Sequence, residues 1–368
     1  VDIQRACYLT HCPDCHRRLK RAEATMMHTV TDLPTFQEMR AVTTQYGIER
    51  QWCKRCKKEV RAVPAGVIPG ARLGTTLLTM VMVWHYRMRL PFGKIREQLQ
   101  LLYQIQLSEG ALVLMLKRAR GYLGKDYKKL LAEARGSPVK HADETGWRVA
   151  GKNWWCWTVA TKKATFYTIT ESRGKGVAQD LLSGTEGVLV RDDYGAYRKL
   201  SMPQQSCWAH LLRKSHEESA REGASLEVVK LHKNLKDLFA LLTEDLSQPF
   251  HKRQRQELYG WYTTDIEKII ATAFHAADAK RVQTRVSNQR TNLLTALLYE
   301  GIPLTNNLAE QALRPLVVTR KISGGSQSAD GAETHAVNMS IVETLCKKNQ
   351  PLLPTLQSLL HHGATDRN

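Results

Sequence analysis

The chain has 368 residues, too many for one average domain and enough for two or three with a substantial core. Hydrophobic residues make up 42%, and 54 Lys and Arg against 35 Asp and Glu leave a net charge of +19, which excludes a disordered acidic chain and implies a polyanionic partner, DNA or RNA. A membrane role lacks support: the longest apolar stretch, Leu77 to Trp84, is far short of the roughly 20 residues of a spanning helix, and without a signal peptide the chain is expected to be cytoplasmic.

Residues 1–63 read as a small zinc-binding module. Four of the eight cysteines form two knuckles, Cys12-Pro-Asp-Cys15 and Cys53-Lys-Arg-Cys56. The two-residue gap lets both thiolates of a pair reach one tetrahedral ion, so Cys12, Cys15, Cys53 and Cys56 are the expected Zn2+ ligands. Four reduced thiols are the plainer alternative, and His11 and His16 flank the first knuckle. Lys54, Arg55, Lys57, Lys58 and Arg61 around the second suit either phosphates or solvent. Cys7, Cys156, Cys207 and Cys346 read as small buried side chains.

After a linker from Pro64 to Pro69, residues 64–136 carry helical apolar spacing at Leu73 to Arg89, Phe92 to Leu102 and Ser108 to Leu123, with Ser108 as an N-cap. This segment could place a helix in a DNA groove, although a packed bundle is the plainer reading.

Residues 137–345 hold the chemistry. Pro138 to Asp143 reads as a strand ending at the turn residues Glu144-Thr-Gly146. Trp154 to Thr161 and Ala164 to Thr170 alternate as strands, Val177 to Leu182 as a helix, and Gly187 to Asp192 as a fourth strand. Three strands, a helix and a strand open a ribonuclease H-like α/β fold, in which the first and fourth strands are neighbours. Asp143 and Asp192 would then meet, joined by Glu310 from a later helix. Such a set can hold two Mg2+ or Mn2+ ions about 3.5 to 4 Å apart for in-line attack on a phosphodiester. Asp193 is an alternative ligand, but successive strand residues face opposite ways and Asp192 is favoured. Each carboxylate alone has a plainer reading: Asp143 and Asp192 as turn openers, Glu310 in a capping box with Asn307 or paired with Arg314.

Helices are expected over Leu226 to Thr243 and Gln256 to Phe274, and 346–368 reads as a C-terminal helical segment. Cys207 and His210 lie three apart on one helical face. A second metal is conceivable there, but without a partner pair a structural role, or a DNA contact by His210, Arg213 and Lys214, is the favoured reading. Arg314, Arg320 and Lys321 are the foremost phosphate contacts, with a helix-dipole role as the alternative. Trp154, Trp155 and Trp157 suit base stacking or sheet packing.

His-Ala-Asp143-Glu-Thr-Gly-Trp147, Asp192-Asp-Tyr-Gly-Ala-Tyr197, Cys207-Trp-Ala-His210-Leu-Leu-Arg-Lys214 and Asn306-Asn-Leu-Ala-Glu310-Gln-Ala-Leu-Arg-Pro315 together resemble the IS-sixty-six family of bacterial DDE transposases. The similarity continues through Arg320-Lys321, Gly325-Ser326 and Ser340 to Thr344, and the knuckles look like that family's zinc module. The resemblance implies Asp143, Asp192 and Glu310 as the catalytic triad, a mostly helical insertion at about 208–300 between the last two, Mg2+-dependent cleavage at element ends, and transfer of 3′-hydroxyls into target DNA. Because two element ends must be handled together, a homo-oligomer on DNA is expected, with accessory proteins of the same element as further expected partners. Asp193 stands where family members commonly have Gly. A zinc-dependent DNA-binding regulator and a structure-specific nuclease of the same fold are the competing readings.

Overall fold

The structure, a computed structural model, describes residues 10–19, 27, 29, 31, 33–35, 37–62, 64, 67–68, 71–249 and 251–365. Cys7 and part of the expected linker lie outside them. The second knuckle forms the turn of a hairpin, β1 (Arg50–Cys53) and β2 (Lys58–Arg61), whose residues are exposed apart from the half-buried Cys53.

Three helical stretches follow as the periodicity predicts. Helix α1 (Thr75–Met82) runs into a π-helical turn (Val83–Arg87), then come α2 (Phe92–Tyr103) and α3 (Glu109–Arg135). Ser108 caps α3, accepting from the Ala111 amide at 3.1 Å. The helix runs well beyond Leu123 because Leu130 and Ala134 continue its buried stripe of Leu112, Met115, Leu116, Ala119 and Leu123.

A five-stranded mixed sheet forms the centre: β3 (Val139–Val149), β4 (Lys152–Ala160), β5 (Thr165–Thr170), β6 (Val188–Arg191) and β7 (Gln204–Ser206), with α4 (Lys175–Leu182) between β5 and β6. The spatial order is β5-β4-β3-β6-β7; the first three strands are antiparallel neighbours, while β6 is parallel to β3 and β7 to β6. The first and fourth predicted strands are therefore adjacent. Gly187 makes this pairing sterically feasible: its φ is +86°, and a Cβ there would collide with the Pro138 carbonyl. Two expectations change. Glu144-Thr-Gly146 is not a turn, because β4 holds β3 in register as far as Val149 opposite Lys152. A fifth strand, β7, also appears that the sequence reading lacks.

Between β7 and the last helices lie α5 (Trp208–Ser219), α6 (Leu226–Ser247), α7 (Lys252–Ala271), α8 (Ala277–Gln289) and the short α9 (Thr295–Leu298). They share a core that includes Trp208, Leu231, Leu235 and Val282, and this core continues onto Val188 and Val190 of β6. The chain then returns through α10 (Asn307–Ser323), α11 (Ala329–Lys347) and α12 (Leu352–Thr365). Leu316 of α10 and Val342 of α11 join Leu116 of α3 and Tyr167 of β5 in a second core, on the face of the sheet that carries Trp147 and Cys156. Helix α11 covers the outer edge of β5: the amides of Thr165 and Tyr167 donate to Thr344 Oγ1 (3.0 Å) and Ser340 Oγ (2.9 Å). At the opposite edge, the Ser206 amide of β7 donates to the Asn292 carbonyl at 2.8 Å.

Candidate active site

The register of the central strands aligns two of the carboxylates. His141 pairs with Val190; two residues on from this pair, Asp143 stays on β3 while Asp192 follows directly on the end of β6, near enough for its charge to act on Asp143. Burial, then the charge of Asp192, pushes the Asp143 carboxyl up to about 7; the Glu144 amide, donating to Asp143 Oδ1 at 2.8 Å, opposes the rise, and Glu144 and Glu310 add to it. Asp192 Oδ1 accepts from the Tyr194 amide at 2.9 Å. Asp193, the alternative, is engaged elsewhere, in an ion pair with Arg198 at 2.8 Å.

Asn306 brings in the third carboxylate. This fully buried residue precedes α10 and spends its side chain on β3: Nδ2 donates to the Ala142 carbonyl at 2.9 Å, and Oδ1 lies 3.1 Å from His141 Nδ1. Burial draws the His141 pKa down to about 4, so the neutral ring presents an Nδ1–H to that oxygen. The first turn of α10 is thereby fixed beside Asp143. The capping box considered for Glu310 does not form, because the N-cap is Asn306 and it makes no side-chain cap. Nor do Glu310 and Arg314 form an ion pair. Glu310 Oε1 instead faces His210 Nδ1 of α5 at 3.5 Å, and both atoms are buried without a hydrogen-bond partner.

Among the described residues, Cys207, His210 and Glu310 are the set of three metal-ligating side chains whose donor atoms lie within 4.8 Å of one another. Among the described residues neither Asp143, Asp192 and Glu310 nor any three of the knuckle cysteines bring their donor atoms that close together. In the first pair the His16 amide donates to the Cys12 carbonyl at 3.0 Å; in the second the Cys56 amide approaches Cys53 Sγ at 3.5 Å. Hydrogen bonds from the Cys15 and Cys56 backbones lower the pKa of Cys12 and Cys53 respectively, which readies both sulfurs as ligands.

The cations expected to meet phosphate divide into two groups. Arg213, Lys214, Arg314 and Lys321 are exposed, although Lys214 pairs with Glu217 at 2.7 Å. Arg320 is half-buried and donates to the Gly146 carbonyl, tying α10 to β3; it lines a cavity of about 440 Å³ with Trp147, Trp154 and Trp155. Trp157 is interior, 1% exposed, with Nε1 donating to the Ser172 carbonyl at 3.2 Å.

The sequence reading passed over the opposite face of β3. Glu144 projects there, its side chain 1% exposed, accepting from the Arg173 guanidinium at 2.8 Å and the Tyr197 hydroxyl at 2.7 Å. Arg173 is sandwiched between the rings of Trp155 (4.4 Å) and Tyr194 (4.1 Å). Strand alternation was the available signal, since a residue next to Asp143 in an extended strand must face the other way.

A sequence model of the transposase IS66 family matches residues 70–334. Three uncharacterised proteins of Sinorhizobium fredii (strain NBRC 101917 / NGR234) are also similar. The protein y4jD is 24% identical over 373 residues, covering 90% of this chain and 70% of that protein. For y4qI the identity is 24% over 326 residues, 78% of this chain and 58% of that one; for y4jO it is 28% over 169 residues, 44% and 48%. The chain thus spans about half of y4jO and somewhat more of y4qI.

Proposed function

We propose, on the premise that this chain belongs to the IS66 family of transposases, that it cuts DNA at the ends of a mobile element and joins the freed 3′-hydroxyls to target DNA, using Asp143, Asp192 and Glu310. The observation that supports this reading is the proximity of Asp143, on β3, to Asp192, just past the end of its parallel neighbour β6, with the Asp143 carboxyl raised to about 7 by burial and by acidic neighbours. Carboxylates kept together without a cationic side chain between them make a site suited to metal ions.

The donors of these three residues are all oxygen, which fits Mg2+ or Mn2+ rather than a soft ion. When bound, such ions activate the attacking water or 3′-hydroxyl and stabilise the departing oxygen. The protein's own contribution is placement. The sheet sets the two aspartates, and Asn306 fixes the helix that carries Glu310. The strand order and directions favour a ribonuclease H-like core over 137–345, with 208–300 as its helical insertion, 64–136 and 346–368 as flanking helical segments, and 1–63 as the module whose knuckles would take Zn2+. Exposed Arg213, Lys214, Arg314 and Lys321 are the residues we assign to DNA phosphates. Because two element ends must be handled together, a homo-oligomer on DNA is expected, with accessory proteins of the element as further partners.

The test is strand transfer by the purified protein with Mg2+ and labelled DNA carrying the flanking terminal repeats, beside Asp192→Asn. Joined products that disappear in the variant are the expected result. Binding without metal-dependent chemistry would overturn it in favour of a DNA-binding regulator, and cleavage without joining in favour of a nuclease.

A further inference from the structure

We propose that Cys207, His210 and Glu310 form a second metal site, of mixed sulfur, nitrogen and oxygen donors, that takes a Zn2+-class ion at the junction of the insertion and the sheet. The sequence offers only Cys207 and His210, at an interval that puts the cysteine at the N-cap of α5 and the histidine in its first turn. Folding supplies the third donor. Asn306 locks the start of α10 beside α5, and one helical turn later Glu310 turns Oε1 toward His210 Nδ1.

Two independent observations point to a ligand. The three donor atoms lie within 4.8 Å of one another, and His210 Nδ1 and Glu310 Oε1 stand 3.5 Å apart. Bonds of about 2.0 to 2.3 Å in a tetrahedral shell place neighbouring donors about 3.3 to 3.7 Å apart, so only a small adjustment closes the shell. In addition, His210 Nδ1 and Glu310 Oε1 are buried polar atoms with no hydrogen-bond partner. Such a pair costs free energy unless something joins them. An ion accepting a lone pair from each does so.

Cys207 is prepared for the same role. It sits where the N-termini of α5 and α10 converge, and its sulfur accepts the Asn306 amide at 3.2 Å. Burial raises the Cys207 thiol above its ordinary pKa and the backbone amides at sulfur oppose this only in part, so the proton leaves as the metal binds. Binding replaces the S–H bond by a sulfur–metal bond and releases one proton to solvent; no oxidation is involved. Three protein donors leave a fourth position for water or an incoming oxygen. The donor chemistry separates this site from the all-oxygen one: a soft ion is selected by sulfur and imidazole, a hard one by carboxylates. Glu310 belongs to both sets.

The experiment is Co2+ titration of the full chain with Cys12, Cys15, Cys53 and Cys56 all replaced by serine, read by the thiolate-to-cobalt charge-transfer band. One equivalent should bind and give the band, Cys207→Ser should abolish it, and His210→Gln should weaken binding at least tenfold. A missing band, or one indifferent to both substitutions, overturns the proposal. Since Cys207 is buried, the His210→Gln protein serves where Cys207→Ser fails to fold. Zn2+ stoichiometry of the otherwise native chain is the second measurement: His210→Gln should bind one equivalent fewer after dialysis against a weak chelator, and unchanged stoichiometry sinks the site. Neither readout involves DNA chemistry, so an inactive transposase and an absent metal site would be told apart.

Discussion

Asp143 and Glu144 are successive residues on one strand, and the two faces of β3 treat them in opposite ways. Glu144 is enclosed by a phenol and a guanidinium that is itself held between two aromatic rings. Asp143 meets no cationic side chain and feels three other carboxylates, so its proton is held up to about pH 7. The contrast teaches that neighbouring carboxylates can be treated in opposite ways: one is paired within the protein, and the other is held among like charges, as the proposed metal site requires.

The comparison breaks most visibly in catalysis. Asp143→Asn should lower strand joining by about 10³-fold or more, the loss expected when several kcal/mol of metal-assisted stabilisation disappears, while DNA binding by gel shift stays within twofold. Normal turnover in the variant would remove Asp143 from the site.

The same substitution should sharpen the contrast in stability. A carboxyl whose pKa is raised from 3.8 to about 7 on folding adds stability that is fully present below about pH 4 and is lost as pH rises toward 7. In metal-free urea titrations Asp143→Asn should lack that decline and gain on the order of 3 kcal/mol over the parent at pH 8. Parallel pH profiles for the two proteins would contradict the assignment.

Asn306→Ala should cost about 2 kcal/mol, because it orphans the Ala142 carbonyl and the His141 Nδ1–H in the interior. Joining should fall with it as Glu310 loses its fixed place, and a variant of parental stability would show that the bond to β3 is dispensable. Glu144→Gln is expected to be milder, about 1 to 2 kcal/mol, since Tyr197 keeps an acceptor and half-exposed Arg173 can turn to water. Joining should persist near the parental level. A collapse like that of Asp143→Asn would mean that the two faces are not separable in function.

How far such features could be read in advance depends on where their signal lies. Ser108 capped its helix as expected because a cap is a local event, and the strands around Trp154 and Phe166 followed from alternation. The extent of β3 could not be read that way: Asp143, Thr145 and Gly146 have turn-forming chemistry, and only pairing with β4 overrides it. Strand β7 is three polar residues, all buried, and its Gln205 side chain finds a distant partner in the Leu293 carbonyl, which accepts from Nε2 at 3.0 Å. Helix α11 is buried nearly all round and uses His335, Asn338, Ser340 and Thr344 inside, so a search for an apolar stripe passes it by. In the site, the aspartates were legible from strand order, whereas the meeting of Cys207 and His210 with Glu310 is purely tertiary, with about a hundred residues between the motifs.

The hydrogen bonds from Thr344 and Ser340 to β5, together with the Asn292 contact on β7, have a bearing on assembly. Both margins of the sheet are closed, so neither offers a free row of amides on which another copy could lay a strand. In the proposed assembly on two DNA ends, copies therefore meet through helical or loop surfaces rather than through the central sheet.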